Sequence, residues 1–288
     1  MSNYHVYRFG HFWAKVLPFR LSQIIVTFLC DMHYFFSKRD RWAVENNLKI
    51  VFKKDRVPSS LVREVFRNFG KYLLEFFTMT QRVNPSFAQS HVRINNIEYL
   101  KNVLEKGKGG IIVSAHLGNW EMGGGVLPAF GFPLAVLALS HKDPRVNALF
   151  NAQREALGVK VIQTDTAAVR RLIEHLRKNH LVAIVADRDF GNNGILMDFL
   201  GQKTLVPKGP AFFSIKTGSP IVPTFFIRRE DGHFEINAHP PINPPQVSNG
   251  EITDDLLRGY IAQYLKVMEQ EIKANPTQWL LFREFAQA

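Results

Sequence analysis

The sequence has almost no cysteine: Cys30 is the single one among 288 residues. This count excludes an internal disulfide, and no cluster of cysteines is present that could hold a structural zinc ion. One cysteine also fits a protein that works in a reducing compartment.

A long uninterrupted apolar run is also missing. The most apolar stretch, residues 21–36, is interrupted by Ser22, Gln23, Asp31 and His33. It falls short of the roughly 20 apolar residues that a membrane crossing needs. The first residues show neither the apolar core nor the small-residue cleavage site of a secretory signal, so we expect the N-terminus to be retained.

Positive charge is concentrated at the N-terminal end. The chain is 46% hydrophobic, enough for one large core, and its net charge is +11. Residues 1–82 contain 14 Lys and Arg against 6 Asp and Glu, which places +8 of that charge there.

The same region has apolar residues at helical spacing, edged by cations. The apolar set is Leu21, Ile24, Ile25, Phe28, Leu29, Met32, Phe35 and Phe36, and the cations are Lys15, Arg20, Lys38, Arg39 and Arg41. This pattern is typical of a helix that lies in a membrane surface with anionic lipids, although an amphipathic helix packed on its own domain has the same pattern. We expect no nucleic-acid partner, because no nucleic-acid motif accompanies the charge.

After residue 90, short apolar runs alternate with helical stretches. The predicted strands are 109–115, 133–139, 159–164, 181–186 and 221–227, and the predicted helices are 122–130, 144–157, 167–179, 209–217 and 253–274. This alternation predicts an α/β single domain with a mixed, mostly parallel central sheet flanked by helices. We divide the chain into an N-terminal amphipathic helical extension, residues 1–90, and an α/β core, residues 91–288.

His116 and Glu121 lie just after the first of these strands, where active sites of α/β sheets gather. An imidazole paired with a carboxylate performs general-base catalysis: the imidazole takes a proton from a hydroxyl, and the carboxylate fixes its tautomer. No G-x-S-x-G motif supplies a serine nucleophile, so the nucleophile would belong to the substrate. A structural histidine beside an unrelated carboxylate is the alternative.

Three arginines are candidates for holding a phosphate or another anionic headgroup, because a guanidinium binds such oxygens in a bidentate way. They are Arg145, Arg154 and Arg188, with a solvated helix face as the alternative for Arg154. Asp187, Arg188 and Asp189 directly follow a predicted buried strand, which favours a site, although either aspartate could instead fix the loop.

Further substrate-binding candidates lie in two turns. Asn119 follows His116, and Lys208 and Gly209 precede a predicted helix whose free N–H groups could face an oxyanion or a phosphate. Simple helix punctuation is the alternative for the second turn. Trp120 and Trp279 could wall the site or fill the core, and for Trp279 the core is the favoured interpretation.

Several of these motifs, taken as an ordered set, resemble a known superfamily. They are "HLGNWE" (116–121), "DRDFG" (187–191), "GILMDFLG" (194–201), "VPKGPAFFSIKTGSPIVP" (206–223) and "NPTQWLLFREF" (275–285), with "VLPFRLSQ" (16–23) and "ENNLKIVF" (45–52) before them. The set resembles the lysophospholipid acyltransferase superfamily, and within it the lipid A late acyltransferase branch, next to the mannoside acyltransferases. The arginine-bearing "EGTR" block of the glycerolipid branches is absent.

The resemblance implies a membrane-associated enzyme that moves an acyl chain from a thioester to a hydroxyl of a glycolipid such as a lipid A precursor. It makes His116 the base and Glu121 its partner in the H-x4-D/E motif. The implied co-substrate is acyl carrier protein or coenzyme A thioester, with no metal or bound cofactor, and the implied location is the cytoplasmic face of the inner membrane, peripheral or monotopic. The alternatives are a metal-dependent hydrolase using His116, Glu121, Asp187 and Asp189, and a non-catalytic lipid-binding protein.

Overall fold

The computed structural model describes residues 4–189, 191, 193–247 and 251–285. The helices are α1 (Tyr4–Val16), α2 (Phe19–Phe36), α3 (Lys38–Phe52), α4 (Ser59–Arg82), α5 (Pro85–His91), α6 (Glu98–Glu105), α7 (Trp120–Ala129), α8 (Pro144–Glu155), α9 (Ala168–Arg177), α10 (Gly209–Thr217) and α11 (Asp254–Ala274). The strands are β1 (Val92–Asn95), β2 (Gly110–Ser114), β3 (Leu134–Ala138), β4 (Lys160–Gln163), β5 (Leu181–Val185), β6 (Ile195–Phe199), β7 (Gln202–Val206), β8 (Ile221–Arg228) and β9 (Phe234–Ala238).

The central sheet has seven strands in the order β1-β9-β8-β2-β5-β3-β4. Strands β8, β2, β5, β3 and β4 run parallel to one another. Strand β9 pairs antiparallel with β8, and β1 lies parallel to β9 at the edge. The predicted mixed, mostly parallel sheet is therefore confirmed, and β2 lies near its centre.

Helices cover both faces of the sheet, as predicted. The alternation along β2 divides its side chains between two cores: Ile111 and Val113 pack toward α9, α10 and α11, whereas Ile112 packs toward α4, α6, α7 and α8. All five predicted strands and all five predicted helices of the core are present to within a few residues. Thr253 caps α11, since its side chain accepts a hydrogen bond from the Leu256 N–H.

The strands that the sequence did not predict are short and lie at margins of the fold. They are the edge strand β1, its neighbour β9 and the two-stranded hairpin β6–β7. The hairpin turns at Leu200 and Gly201, both with positive φ, as a two-residue hairpin requires. The Pro-rich stretch 239–250 is predicted to be a linker; in its described part Ile242 pairs with Ile221, and residues 248–250 lie outside the described residues.

The N-terminal helices pack on the core through α4. Asp31 of α2 accepts two hydrogen bonds each from Arg63 and Arg67 of α4. Gly70 of α4 allows α2 to approach closely, because a Cβ there would collide with the Cys30 sulfur. None of the helices among the described residues combines the length with the apolar content that spanning a bilayer requires.

Candidate active site

His116 and Asp187 meet because the strands that precede them are neighbours. Strands β2 and β5 are parallel with Ser114 opposite Val185, so the residues two positions further along each strand also face each other. The His116 Nδ1 lies 2.7 Å from Asp187 Oδ1, and the His116 backbone N–H donates to Asp187 Oδ2 at 3.1 Å. The carboxyl edge of the sheet therefore brings together two of the predicted site residues.

Asp187 is buried and ionised. Its side chain is 0% exposed, and it accepts a third hydrogen bond from the indole Nε1 of Trp279 at 2.9 Å. Burial alone would raise the pKa of Asp187, but the charge of His116 and the hydrogen bonds from His116 and Trp279 outweigh it, so the pKa lies below its ordinary value. An ionised Asp187 accepts a hydrogen bond from Nδ1–H, so in the neutral form of the ring the lone pair is on Nε2.

Aromatic rings hold His116 from the side. Its imidazole contacts Trp120 edge to face, with ring centroids 4.9 Å apart, and Trp120 stacks on Tyr72 at 4.4 Å. The side chain of His116 is 24% exposed, so it is reachable from outside the protein. A buried carboxylate and a packed indole thus orient the ring, while about a quarter of the side chain is exposed to solvent.

Glu121, predicted as the partner of His116, pairs with a different residue. Arg154 donates from Nε to Glu121 Oε2 at 2.8 Å and from Nη2 to Oε1 at 2.5 Å, and it also donates to Asn151 at 3.0 Å. The structure therefore corrects the predicted pairing: the carboxylate on Nδ1 is that of Asp187. Arg154 is 13% exposed, so the solvated helix face does not describe it, and its contact with a headgroup stays a prediction.

The Glu121–Arg154 pair influences two neighbouring titratable groups. Burial and the charge of Glu121 raise the pKa of Tyr72 well above its ordinary value. Burial and the positive charge of Arg154 lower the pKa of His141, against the opposing effect of Glu121. The pair is therefore close to Tyr72, on which Trp120 stacks.

Asn119 is a structural residue, which corrects its prediction as a substrate ligand. Its side chain is 0% exposed; Oδ1 accepts from the Met122 N–H and so caps α7, and Nδ2 donates to Glu75 at 2.7 Å. Glu75 is itself buried and receives two hydrogen bonds of 2.6 Å from Arg228 at the end of β8. Asn119 thereby fixes the first turn of α7 to α4 and the sheet.

Gly118 allows the turn between His116 and α7. Its φ is +66°, a conformation that favours glycine, and a Cβ there would collide with the carbonyl oxygen of Phe226. The Gly118 N–H donates to the Gln278 carbonyl at 2.9 Å, and the Leu280 N–H donates to the His116 carbonyl at 2.8 Å. The C-terminal segment is thus paired with the loop that carries the histidine.

Two further predicted site residues have partners elsewhere. Arg145 is 56% exposed, donates to Asp143 and lies 4.5 Å from the Tyr4 ring, so the described contacts place it at the start of α8 rather than beside His116. Asp189 accepts from the Gly194 N–H at 3.0 Å and the Gly191 N–H at 3.4 Å. Its contacts fit the loop-fixing alternative.

Arg188 remains the predicted anion-binding residue that adjoins the pair. It follows Asp187 directly, and both burial and the positive charge of Arg283 lower its pKa. Lys208 is exposed immediately before α10, and Gly209 is the first residue of that helix. No described contact connects these last two residues to His116, and their substrate role stays a prediction.

The sequence did not identify Glu75 or Arg228 as parts of this region, and it offered Trp279 only as a residue that could wall the site or fill the core. The sequence favours Trp279 as a core residue, and it is indeed 3% exposed, but its indole N–H reaches Asp187. A buried indole N–H usually has an acceptor, but the sequence does not show which group that acceptor is. Among the described residues, no group of three or more His, Cys, Asp or Glu side chains is placed to hold a metal ion.

An accessible imidazole whose Nδ1 is held by a buried, ionised carboxylate is the arrangement that general-base catalysis requires. The sequence can also be compared with those of known proteins. The family model for bacterial lipid A biosynthesis acyltransferases matches residues 3–285. The chain belongs to this family.

Individual relatives agree with that assignment. The chain is 27% identical over 200 residues to a phosphatidylinositol mannoside acyltransferase of Mycolicibacterium smegmatis, which is 68% of this chain and 64% of the relative. It is 22% identical over 281 residues to a lipid A biosynthesis palmitoleoyltransferase of Escherichia coli, covering 94% of this chain and 87% of the relative. The match therefore spans a little under two thirds of the mycolicibacterial relative.

A solved structure is also similar. The crystal structure of a 1-acyl-sn-glycerophosphate acyltransferase from Thermotoga maritima aligns with 88% of this chain and 98% of its own, with 18% sequence identity and a TM-score of 0.41.

Proposed function

We propose that this protein transfers a fatty acyl chain from an acyl thioester to a hydroxyl of a glycolipid at a membrane surface. The observation that carries the proposal is the His116–Asp187 pair at the carboxyl edge of the sheet, in a chain of the lipid A biosynthesis acyltransferase family. The relatives named above are acyltransferases, which supports acyl transfer over other uses of a general base.

In the first step His116 acts as the base. The acceptor hydroxyl gives its proton to Nε2 while its oxygen attacks the thioester carbonyl carbon, and Asp187 stabilises the imidazolium that forms. The resulting tetrahedral oxyanion needs donors or a cation nearby. Arg188, next to Asp187 in the chain, is the cationic residue that we assign to this region.

In the second step the tetrahedral intermediate collapses. The carbon–sulfur bond breaks, the ester remains on the acceptor, and the imidazolium of His116 returns its proton to the leaving thiolate. The net reaction converts one thioester and one hydroxyl into one ester and one thiol. This scheme uses no metal and no resident cofactor, and acyl carrier protein or coenzyme A enters as the thiol of the co-substrate.

The acceptor that we propose is a saccharide-bearing lipid, such as a lipid A precursor. The relatives are named for lipid A and for phosphatidylinositol mannoside, and both names describe lipids with a sugar headgroup. A sugar hydroxyl is a weak nucleophile until a base removes its proton, which is the role given to His116.

Helices α1 and α2 supply the surface for the membrane. Of the 18 large apolar side chains that are exposed in the described part of the chain, 12 lie on these two helices, including Phe9 at 68%, Ile24 at 67% and Phe28 at 60%. A patch of this kind, edged by the N-terminal cations named above, suits a surface with anionic headgroups. We infer a peripheral or monotopic position on the cytoplasmic face of the inner membrane, where acyl thioesters are available.

The experiment compares the wild-type protein with His116→Ala in turnover of a labelled acyl thioester, offered on coenzyme A and on acyl carrier protein, with vesicles that contain the glycolipid fraction of bacterial cells. Mass spectrometry of the lipids reports the acyl mass gained by the acceptor. The variant should lose about 10²- to 10⁴-fold in rate. Equal turnover by both proteins would refute the proposal.

The same assay separates the two alternatives. A metal-dependent hydrolase would release free fatty acid and lose activity in chelator, whereas the acyltransferase keeps its rate and forms a new ester. A non-catalytic lipid-binding protein would give no turnover with either donor.

A further inference from the structure

Trp279 contacts the carboxylate that holds the proposed base. Its indole Nε1 donates to Asp187 Oδ2 at 2.9 Å, while Asp187 Oδ1 faces His116 Nδ1 at 2.7 Å. Each oxygen of the carboxylate therefore has its own ring N–H donor. Two donors on opposite oxygens fix the rotation of the carboxylate, and the rotation decides whether Oδ1 lies in line with Nδ1.

The backbone delivers Trp279 to this place with little freedom. The residues on either side of it pair with the histidine loop: the Gln278 carbonyl accepts from the Gly118 N–H at 2.9 Å, and the Leu280 N–H donates to the His116 carbonyl at 2.8 Å. The indole and the imidazole are thus carried by two paired segments, so their separation is set by main-chain hydrogen bonds.

A side chain from the N-terminal region clamps the same segment. Asn47 of α3 donates from Nδ2 to the carbonyls of Leu281 and Arg283, at 3.0 and 2.7 Å, and its Oδ1 accepts from the Phe285 N–H at 2.9 Å. Asn47 is 3% exposed. The clamp extends the ordered segment beyond Trp279 and uses both N–H groups and the oxygen of the amide.

The indole N–H is chemically suited to support a carboxylate. It donates and cannot accept, so it offers Asp187 a hydrogen bond at every pH. Losing one donor from a buried carboxylate makes that carboxylate more basic, and a more basic Asp187 stabilises the imidazolium of His116 more strongly. Removal of the N–H therefore changes the protonation of His116 as well as its orientation.

We propose that Trp279 is a positioning residue for the reaction, acting on His116 through Asp187. This inference rests on the proposed function only for its consequence on rate. Its consequence for the imidazole can be measured without any substrate.

Other charged groups near this site contribute to the electrostatic environment of His116. Arg188 lies beside Asp187 in the loop after β5, and Arg283 lies near Arg188 on the C-terminal segment. Glu121 and Arg154 form their ion pair on α7 and α8. The arginines stay charged over the range in which an imidazole titrates, so a change in the titration of His116 reports on Asp187 and its donors.

The test uses Trp279→Phe, which removes the N–H donor, and a second variant with benzothienylalanine at position 279, which replaces the N–H by sulfur and keeps the indole shape. Phe285→Leu is the matched control, because the Phe285 ring packs on Trp279 at 5.1 Å without donating to Asp187. The ¹³Cε1 signal of His116, assigned by its loss in His116→Gln, is followed by NMR against pH in the full chain.

Both position-279 variants should move the midpoint of the His116 titration upward by about half a pH unit, and the control should leave it in place. In the acyl-transfer assay the acid limb of the pH profile should move the same way. The value of kcat/KM at neutral pH should be lower by about tenfold, because a carboxylate that is no longer fixed at Oδ2 orients the imidazole less well.

An unchanged midpoint in the folded benzothienylalanine variant would overturn the inference, as would an equal shift in Phe285→Leu. If the wild-type protein shows no acyl transfer while the midpoint still moves, the proposed function fails and the positioning role of Trp279 stands.

Discussion

Arg154 and Glu121 form a bidentate ion pair between α8 and the first turn of α7, with side chains that are 13% and 11% exposed. The pair lies beside Tyr72, which stacks on the Trp120 that contacts His116. Helix α7, whose first residue Trp120 contacts His116, is thereby joined to α8 by charges that are largely removed from water. This ion pair has a measurable consequence for stability.

Glu121→Gln leaves the Arg154 cation buried without its counter-charge, which should lower the free energy of unfolding by about 3 kcal/mol. Urea denaturation checks this value. Glu174→Gln is the control, because Glu174 and Arg170 form an exposed ion pair on α9, with side chains 52% and 77% exposed. The control should change stability by less than about 0.5 kcal/mol. If both substitutions lowered the free energy of unfolding equally, the buried pair would contribute no more to stability than the exposed pair.

Gly118→Ala should unfold the loop that carries His116. The substitution combines a positive φ with a collision against the Phe226 carbonyl, so we expect a loss of at least about 3 kcal/mol, measured by thermal denaturation. Gly131→Ala tests the two causes separately, because Gly131 has a φ of +85° and a Cβ there would meet no atom within 4 Å. That control should cost about 1 kcal/mol from φ alone. A similar loss in both variants would contradict the close approach at Gly118.

Asp31 should make the docking of α2 pH-dependent. Hydrogen bonds from Arg67 and Arg63 hold the pKa of Asp31 well below its ordinary value, against the effect of burial. A depressed pKa in the folded state contributes stability above the unfolded value of about 4, and this stability is lost as the pH falls through the folded value.

The stability of the wild-type protein should therefore exceed that of Asp31→Asn by about 2 kcal/mol at neutral pH, since hydrogen bonds to a charged group are lost, and the difference should narrow below about pH 4. Urea denaturation at a series of pH values measures it. Asp55→Asn, at an exposed position after α3, should show no such dependence. A difference that grows toward acid pH would have the wrong sign for this explanation.

The apolar faces of α1 and α2 should bind lipid. The double variant Phe9→Asp and Phe28→Asp should weaken binding to vesicles of phosphatidylethanolamine and phosphatidylglycerol by at least about 100-fold, since each buried aromatic contributes roughly 1.5–3 kcal/mol. Sedimentation with vesicles gives the affinity. Val169→Asp, at a residue of α9 that is 50% exposed, is the control and should leave binding unchanged. Undiminished binding by the double variant would exclude these helices as the membrane contact.

Most of the sheet could be predicted from the sequence, because buried parallel strands are short apolar runs between turn residues, as in β2 and β5. The order of the strands in the sheet could not be predicted from the sequence. The contact of His116 with Asp187 depends on β2 and β5 being neighbours in register, and the two residues are 71 positions apart in the chain. The resemblance therefore made Glu121, five residues away, the partner of His116, and nothing in the local sequence pointed to Asp187.

The role of Trp279 was hidden for a similar reason. Its partner Asp187 is 92 positions away, and a buried tryptophan in an apolar segment has the same pattern whether its N–H meets a water, a carbonyl or a carboxylate. Arg154 was also hard to predict, because its partner lies on another helix. The sequence predicts a solvated arginine or a headgroup contact, whereas the side chain is buried in an ion pair with Glu121 of α7.

The decisive measurement is kcat/KM for acyl transfer to the glycolipid by Asp187→Asn, against wild type and Asp198→Asn. Asp198 carries an exposed carboxylate paired with Lys203 on the β6–β7 hairpin, and serves as the matched control. We expect Asp187→Asn, which cannot hold Nδ1–H with a charge, to lose about 10²- to 10⁴-fold while the control keeps its rate. Activity of Asp187→Asn within about threefold of wild type would rule out Asp187 as the acid that orients the base.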